Sequence, residues 1–253
     1  MTFVPRIERL GEVDSTMTAA RERAHAGAVS GTCVVATSQR AGRGRQGRGW
    51  FSPPGAGLFA TVVLRPPPRP DGSALTLGGI VCGLAACEAA RRLGATRAML
   101  KWPNDVLVGD RKLCGILTEA EDVAGPAPLM LVGFGLNLAP AASLALPADI
   151  AGRYVGLDEV TPAPVGPDAA LAALLDALGA RWAAWTGTGA APIVKGFENV
   201  DALRGVEVRA EVATGPVTGR ADGISPDGAL RVVTPQGVAF VAAGEVTRVR
   251  PAP

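Results

Sequence analysis

Gln39-Arg40-Ala41-Gly42-Arg43-Gly44-Arg45-Gln46-Gly47-Arg48-Gly49-Trp50 alternates arginine with glycine and ends on a tryptophan. Glycine lets backbone N–H groups approach an anion closely, and each guanidinium can form two parallel hydrogen bonds with a carboxylate or a phosphate. One apolar run typical of a β-strand ends just before this stretch, and another begins just after it. We therefore predict a loop between two strands that binds a charged small molecule. A disordered RNA-binding tether and a solvated turn are the alternatives.

The composition is that of a folded globular chain. Of the 253 residues, 48% are hydrophobic, which is too apolar for a disordered segment. The net charge of +2 is too small for a general polyanion binder, so the positive charge acts locally, in the loop. The sequence has neither a secretory leader pattern nor an apolar run of about 18 residues. We expect a cytoplasmic enzyme that does not contact a membrane.

The cysteines and the histidine carry no metal-binding pattern. Cys33, Cys82, Cys87 and Cys114 are scattered in apolar stretches without the spacing of metal ligands. We predict that all four are reduced residues of the core. His25 is predicted to lie on the surface of a helix.

Apolar periodicity and turn residues predict an α+β chain. Ser15 or Asp14 can cap the first helix, and this capping role is the simplest explanation of the polar residues there. The predicted elements of the first part are a helix at 17–26, strands at 32–37 and 57–64, a proline-rich connector at 66–70 and a helix at 75–93.

The pattern of residues 99–108 predicts a strand that is interrupted at Lys101-Trp102-Pro103-Asn104-Asp105, because proline cannot donate to the hydrogen-bond ladder. Such an interruption indicates a functional site. Gly109-Asp110 is a hairpin signal, and the chain returns through 112–119. Residues 129–138 read as a buried strand whose glycines suggest the close approach of a ligand.

The carboxyl-terminal part changes its pattern. Residues 168–185 predict a packing helix, to which we assign no chemistry. The short alternating runs at 206–212, 217–223, 229–234 and 238–241 predict a small β-barrel. We place the domain boundary between residues 203 and 204, which gives domains at 1–203 and 204–253.

Four motifs in this order resemble those of the biotin protein ligases: 42–48 with Trp50, 101–105, 112–119, and 135–137. The resemblance implies a mixed β-sheet flanked by helices, followed by a small SH3-like β-barrel. It implies an ATP-dependent and Mg²⁺-dependent enzyme that joins biotin to ATP as biotinyl-5′-adenylate. Biotin would then pass to one lysine of a biotin carboxyl carrier domain of a carboxylase. Because the resemblance begins at Asp14, we expect no DNA-binding domain ahead of it and no repressor activity.

The same resemblance implies roles for individual residues. Lys101, Arg43 and Arg45 would be catalytic, and Asp105 would be the Mg²⁺ ligand. The residues implied to bind biotin are Ser15, Thr16, Gln39, Gly42, Arg43, Arg45, Lys101 and Gly115. Those implied to bind the nucleotide are Gly44, Trp50, Asn104, Lys112 and Asn137. Trp50 and Asn137 could each instead be a core residue, with Trp50 the stronger candidate, and Gln46 stands where relatives often carry a further arginine.

Two other functions compete with biotin ligation. A lipoate-attaching enzyme of the same broad fold also adenylates a carboxylate, but the loop at 42–48 together with the motif at 101–105 favours biotin. An RNA-binding protein would use the Arg/Gly loop, but aromatic residues make up 4% of the chain and a broad basic face is lacking, so RNA is disfavoured.

Overall fold

The computed structural model describes residues 3–51, 53–67, 74–122, 125–213 and 215–249. Its strands are β1 Arg6–Val13, β2 Thr32–Gln39, β3 Gly57–Leu64, β4 Ala98–Lys101, β5 Asp105–Val108, β6 Arg111–Glu121, β7 Leu129–Asn137, β8 Glu207–Glu211, β9 Val217–Ile224, β10 Leu230–Thr234, β11 Gly237–Val241 and β12 Glu245–Arg248. Its α-helices are α1 Thr16–His25, α2 Ala74–Arg92, α3 Ala148–Ala151, α4 Pro167–Thr188 and α5 Ala191–Glu198.

The first seven strands form one mixed sheet in the order β1-β2-β3-β7-β6-β5-β4. β1 and β2 run parallel and are joined by α1, while the other neighbouring strands pair antiparallel. The predicted α+β fold with a mixed sheet flanked by helices is confirmed.

The two faces of this sheet are packed differently, because alternate residues of a strand point to opposite faces. On one face, the large core includes residues of α2 and α4, among them Ile80 and Leu174, together with strand residues such as Val62 and Val132. On the other face, Met17 and Ala20 of α1 pack on a smaller cluster that includes Val63. The α1 face is thus less fully covered by apolar packing, and it carries the site described below.

Several predicted elements agree with the structure. The helix predicted at 17–26 is α1, and Ser15 is its cap because its Oγ accepts a hydrogen bond of 3.3 Å from the Met17 N–H. The strand predicted at 32–37 extends to Gln39, so the Arg/Gly loop starts directly from β2. The predicted connector at 66–70 lies partly outside the described residues.

The prediction of one interrupted strand over 99–108 was wrong. The chain reverses at Trp102-Pro103-Asn104, and β4 pairs antiparallel with β5, so that Lys101 lies opposite Asp105. The proline therefore ends a strand and starts a turn. This places the two charged residues side by side at one end of a hairpin.

Four elements escaped prediction, among them α3, which has only four residues. β1 is an edge strand whose residues are mostly exposed, so its sequence lacks clear alternation. α5 has only eight residues, beginning Ala-Pro, and β12 has four. Elements this short carry too few apolar positions to show a period.

The last five strands form an antiparallel sheet in the order β11-β10-β9-β8-β12. The predicted SH3-like domain is confirmed, with one correction: the sheet is open, since the edge strands β11 and β12 do not pair with each other in the described residues. Its inner residues, such as Val208 and Leu230, join the large core, which also contains Phe197 of α5. The domain boundary after residue 203 stays a prediction.

The cysteine and histidine predictions are confirmed. All four cysteines are buried and carry free thiols, and burial raises the pKa of Cys33 to about 12. His25 is exposed on α1, with Nε2 2.8 Å from Glu121 Oε2. Over the described ranges, no helix has the length and apolar character needed to cross a membrane.

Candidate active site

Three glycines form the floor of a slot on the α1 face of the sheet. Gly115 of β6 lies opposite Gly135 of β7, and the next row places Gly133 between Leu117 and Thr61. Because these glycines have no Cβ, larger groups can lie directly on the backbone. A Cβ on Gly115 would come 2.6 Å from Trp50 Cζ3, and one on Gly133 would come 3.2 Å from Met17 Sδ. The sequence predicted that a ligand comes close to the glycines of β7. In this structure the side chains of Trp50 and Met17 lie against those glycines.

A set of hydrogen-bonding groups closes one end of the slot, where α1 begins. Gln39 Oε1 accepts hydrogen bonds from the Thr16 N–H, at 2.9 Å, and from the Thr16 hydroxyl, at 3.1 Å. Thr61 contributes a hydroxyl 2.8 Å from Thr16 Oγ1. Ser15 and Thr16 are both buried, and Ser15, Thr16 and Gln39 all line the slot. The residues predicted to bind biotin at this point are therefore brought together.

The Arg/Gly loop folds back on itself beside the slot. Gly44 N–H donates to the Arg48 carbonyl at 2.7 Å, and Trp50 N–H donates to the Gly42 carbonyl at 2.8 Å. Gln46 has φ of 57°, in the left-handed region, and completes a 3₁₀ turn at 45–47. The Gly44 amide is thus paired within the loop, although Gly44 borders both cavities, and Gly42 is not among the described residues that line either cavity.

The arginines of this loop point in different directions. Arg43 Nη1 lies 3.5 Å from Glu119 Oε1 on β6. Arg45 is held from both domains, because it donates to Asn104 Oδ1 at 3.2 Å and to the Gly244 carbonyl at 3.1 Å. Burial lowers the pKa of Arg45, an effect that the nearby Asp105 carboxylate opposes. Arg45 is therefore a partly desolvated cation at the mouth of the slot.

Two lysines and one carboxylate lie next to Arg45. Lys112 Nζ lies 2.7 Å from Asp105 Oδ1 and 5.2 Å from the centre of the Trp50 ring. The contact between Lys112 and Asp105 is an ion pair, but no hydrogen bond of good geometry reaches Oδ1 from the described residues. Burial lowers the pKa of Lys101; Asp105 raises it and Lys112 lowers it further. Arg45, Lys101 and Lys112 thus lie around Asp105, and Glu245 is a further carboxylate that acts on Arg45 and Lys101.

Asn104 and Asn137 are held by the fold. Asn104 Nδ2 donates to the Ile116 carbonyl at 2.8 Å, and Asn137 Nδ2 donates to the Lys112 carbonyl at 3.0 Å. Asn104 therefore orients Arg45, and Asn137 fixes the backbone that carries Lys112.

A larger cleft continues from the slot past these cations. The slot encloses about 50 Å³, since Trp50 and Met17 lie in it, whereas the cleft encloses about 420 Å³. The cleft is bordered by Lys101, Asp105, Lys112 and Asn137, and also by Asp149, Ile150, Arg153 and Tyr154, which sequence reasoning missed. The segment at 149–154 carries no recognisable motif, so nothing in its sequence marked it as part of the site.

The carboxyl-terminal sheet contacts the same motifs. Trp102 is buried, and its indole N–H donates to the Gly228 carbonyl at 3.0 Å. Arg48 Nη1 forms an ion pair of 3.1 Å with Glu245 Oε1. Glu245 and Gly244 were not predicted to approach the site. The second domain therefore borders the cleft and holds two of the four motifs.

Metal binding has limited support from the protein side chains alone. Among the described residues, no group of three or more His, Cys, Asp or Glu side chains could hold an ion. Asp105 is the carboxylate nearest the lysines. Mg²⁺ is commonly held by one or two carboxylates together with substrate phosphates and water, so this single carboxylate fits an ion that arrives with a nucleotide.

Comparison with known proteins gives the class to which this fold and site belong. Residues 10–137 match the model of the Biotin/lipoate A/B protein ligase family, and residues 205–248 match the Biotin protein ligase C terminal domain. The chain belongs to the Biotin/lipoate A/B protein ligase family. The resemblance to biotin protein ligases predicted from the motifs is confirmed.

Individual relatives show which members of the family this chain is similar to. The biotin--[acetyl-CoA-carboxylase] ligase of Paracoccus denitrificans is 37% identical over 94% of this chain and 98% of its own length. The bifunctional ligase/repressor BirA of Escherichia coli is 43% identical over 44% of this chain, and the match spans 34% of BirA. The chain thus covers about a third of that relative. The biotin protein ligase of Aquifex aeolicus in complex with biotin and ATP superposes with a TM-score of 0.82, at 28% identity, over 98% of this chain and 100% of that one.

Proposed function

We propose that this protein is an ATP-dependent biotin ligase. In the first step, a carboxylate oxygen of biotin attacks the α-phosphorus of ATP and pyrophosphate leaves, which gives biotinyl-5′-adenylate. In the second step, a lysine amine of an acceptor protein attacks the biotinyl carbonyl, and AMP leaves. The observation that carries the proposal is the arrangement of a glycine-floored slot and a larger cleft that meet at Arg45 and Lys112, with Lys101 lining the cleft.

The slot suits the bicyclic ring of biotin. Its floor is made of glycines and apolar residues, its uncharged hydroxyl and amide groups lie at the start of α1, and charged and polar side chains of the Arg/Gly loop and the neighbouring motifs line the rest. Ligand sites of this kind combine a mostly apolar lining with a few placed polar groups. We assign the ureido end of biotin to Ser15, Thr16 and Gln39, and its ring to the floor at Gly115. Trp50 and Met17 move aside to admit it.

The cations at the junction suit the reacting groups. Biotin carboxylate and ATP phosphates are both anionic, so they repel each other unless positive charge lies between them. We assign Arg43 and Arg45 to the carboxylate and α-phosphate side, and Lys101 to the oxygen that links them. The desolvated setting of Arg45 and Lys101 strengthens these contacts relative to water.

The cleft suits the nucleotide. We assign Trp50 to one face of adenine, because an indole offers a stacking surface. Lys112 and Asn104 lie toward the phosphates, together with Gly44. Asn137 borders the adenine side of the cleft.

Mg²⁺ is assigned to Asp105 together with the nucleotide phosphates. When bound, the ion neutralises charge on the phosphate oxygens that leave as pyrophosphate. Asp105 is already near Lys101 and Lys112, so its carboxylate also keeps these ammonium groups oriented toward the cleft.

The acceptor is assigned as a biotin carboxyl carrier domain. The relative from Paracoccus denitrificans is named as a ligase for acetyl-CoA carboxylase, which supports an acceptor of that class. The predicted cytoplasmic location stays a prediction.

Calorimetry with three ligands tests the proposal. We expect biotin to bind and a short single-stranded RNA not to bind. Lipoate, which has an apolar ring but no ureido group to pair with Thr16 and Gln39, should bind at least about tenfold more weakly than biotin, because an unpaired buried polar group costs 1–3 kcal/mol. Tighter binding of lipoate would identify a lipoate ligase, and binding of RNA alone would exclude a ligase.

A further inference from the structure

Thr61 is a buried hydroxyl that no motif predicted. It lies in the middle of β3, with 0% of its surface exposed, behind the residues that line the slot. Its neighbours on adjacent strands are apolar or glycine, yet Thr61 Oγ1 lies 2.8 Å from Thr16 Oγ1. A hydroxyl in such a place has few partners available, so the direction of this one hydrogen bond matters.

The geometry around Gln39 fixes that direction. The atom of Gln39 nearest the Thr16 N–H accepts a hydrogen bond at 2.9 Å, which identifies it as the amide oxygen. An amide oxygen cannot donate, so the Thr16 hydroxyl must donate its single proton to the same oxygen at 3.1 Å. Thr61 is then the donor in the bond between the two threonines.

This chain of hydrogen bonds leaves Thr16 with a defined polarity. The oxygen of a threonine hydroxyl has two lone pairs and one proton. The proton of Thr16 goes to Gln39, and one lone pair receives the proton of Thr61. The group that Thr16 can offer to a ligand in the slot is therefore its second lone pair, which accepts a hydrogen bond and cannot donate one.

We propose that Thr61 is a positioning residue that sets the specificity of the slot, by holding the Thr16 hydroxyl, together with Gln39, in the orientation that accepts an N–H group of the ligand. The proposal rests on the proposed function, in which that N–H belongs to the ureido ring of biotin. A ligand that presents an oxygen at the same place meets a lone pair and is rejected. Sites built around directed hydrogen bonds reject analogues that lack the matching group far more strongly than apolar pockets do.

The test compares biotin with two analogues in which one or the other ureido N–H is replaced by a ring oxygen. Calorimetry would measure the binding of all three to wild type, Thr61→Val and Thr61→Ser. Thr186→Val is the matched control, because it removes a hydroxyl that bonds within α4 to the Trp182 carbonyl at 2.9 Å, on the other face of the sheet. Thermal unfolding of each variant verifies that it is folded, and Thr61→Cys, with a weak donor, replaces Thr61→Val if the latter does not fold.

We expect wild type and Thr186→Val to prefer biotin strongly over one of the two analogues. Thr61→Val should bind biotin about fivefold more weakly, since one net hydrogen bond contributes about 1 kcal/mol. It should also lose about fivefold of the preference against that analogue, because without the Thr61 donor the Thr16 hydroxyl is held by Gln39 alone and can turn from it to donate to the analogue's oxygen. Thr61→Ser should keep the wild-type preference.

Two results would overturn the proposal about Thr61. One is Thr61→Val binding all ligands like wild type. The other is a loss of affinity by the same factor for biotin and both analogues, which would show that the hydroxyl only supports packing. Failure of wild type to bind biotin at all would instead contradict the proposed function, so the two failures are distinguishable.

Discussion

The floor of the slot offers a single-methyl test of the site. Gly135→Ala places a Cβ 2.6 Å from Trp50 Nε1, closer than real carbon contacts allow. The indole must therefore shift, and overpacking of this kind costs about 1–3 kcal/mol. Alanine in a strand recovers about 0.5–1 kcal/mol relative to glycine. We expect the free energy of unfolding to fall by about 1–2 kcal/mol.

The same methyl group should interfere with the ligand. One extra methyl in a fitted pocket changes affinity on the order of 10-fold to 200-fold, so biotin should bind at least about tenfold more weakly to Gly135→Ala. Denaturant unfolding gives the stability and calorimetry gives the affinity. Gly79→Ala in α2 is the matched control, because its Cβ would lie 3.6 Å from the nearest atom, Thr118 Oγ1.

A second variant separates the two effects. In a Trp50→Ala background the clash is absent, so adding Gly135→Ala should cost no stability while still weakening biotin binding. Unchanged biotin affinity in a folded Gly135→Ala protein would refute the assignment of the slot to biotin.

Three further predictions concern charge and the junction of the domains. Lys101→Met should stay folded, because Lys101 lies at a strand end, but should lower biotin-dependent pyrophosphate release by a factor on the order of 10² or more; near-wild-type release would remove Lys101 from the chemistry. Trp102→Phe leaves the Gly228 carbonyl unpaired and should lower the free energy of unfolding by about 1–3 kcal/mol in urea titrations, and a loss below 0.5 kcal/mol would argue against that hydrogen bond. Burial raises the pKa of Asp201 from 3.8 to about 6, so its protonated form stabilises the fold below the unfolded pKa and that contribution is lost as the pH rises through 6. Between pH 4 and pH 7 the free energy of unfolding of wild type should thus fall by about 2 kcal/mol relative to Asp201→Asn, whereas parallel curves would contradict the raised pKa.

The motifs located the site because they lie where strands end. The Arg/Gly loop leaves β2 directly, and the motif at 101–105 forms the hairpin beside it. Glycine, proline and alternating apolar residues mark such points in the local sequence. The sequence could therefore predict which charged residues belong to the site and that they lie near one another.

What the sequence could not predict is contact between distant segments. Thr61 lies 45 positions from Thr16 and looks like any strand threonine, and Glu245 lies 197 positions from Arg48. Such pairs are specified by strand order and domain packing, which no local pattern encodes. The same limit applies to β1, whose parallel pairing with β2 depends on the crossover through α1.

The central claim is that the slot and the cleft together activate a carboxylate with ATP. Release of pyrophosphate from ATP by the purified protein, with Mg²⁺ and with or without biotin, tests this most directly. The account predicts release that requires biotin, is not supported by lipoate, and is accompanied by bound biotinyl-adenylate. Release that is independent of biotin, or its complete absence while both ligands bind, would contradict it.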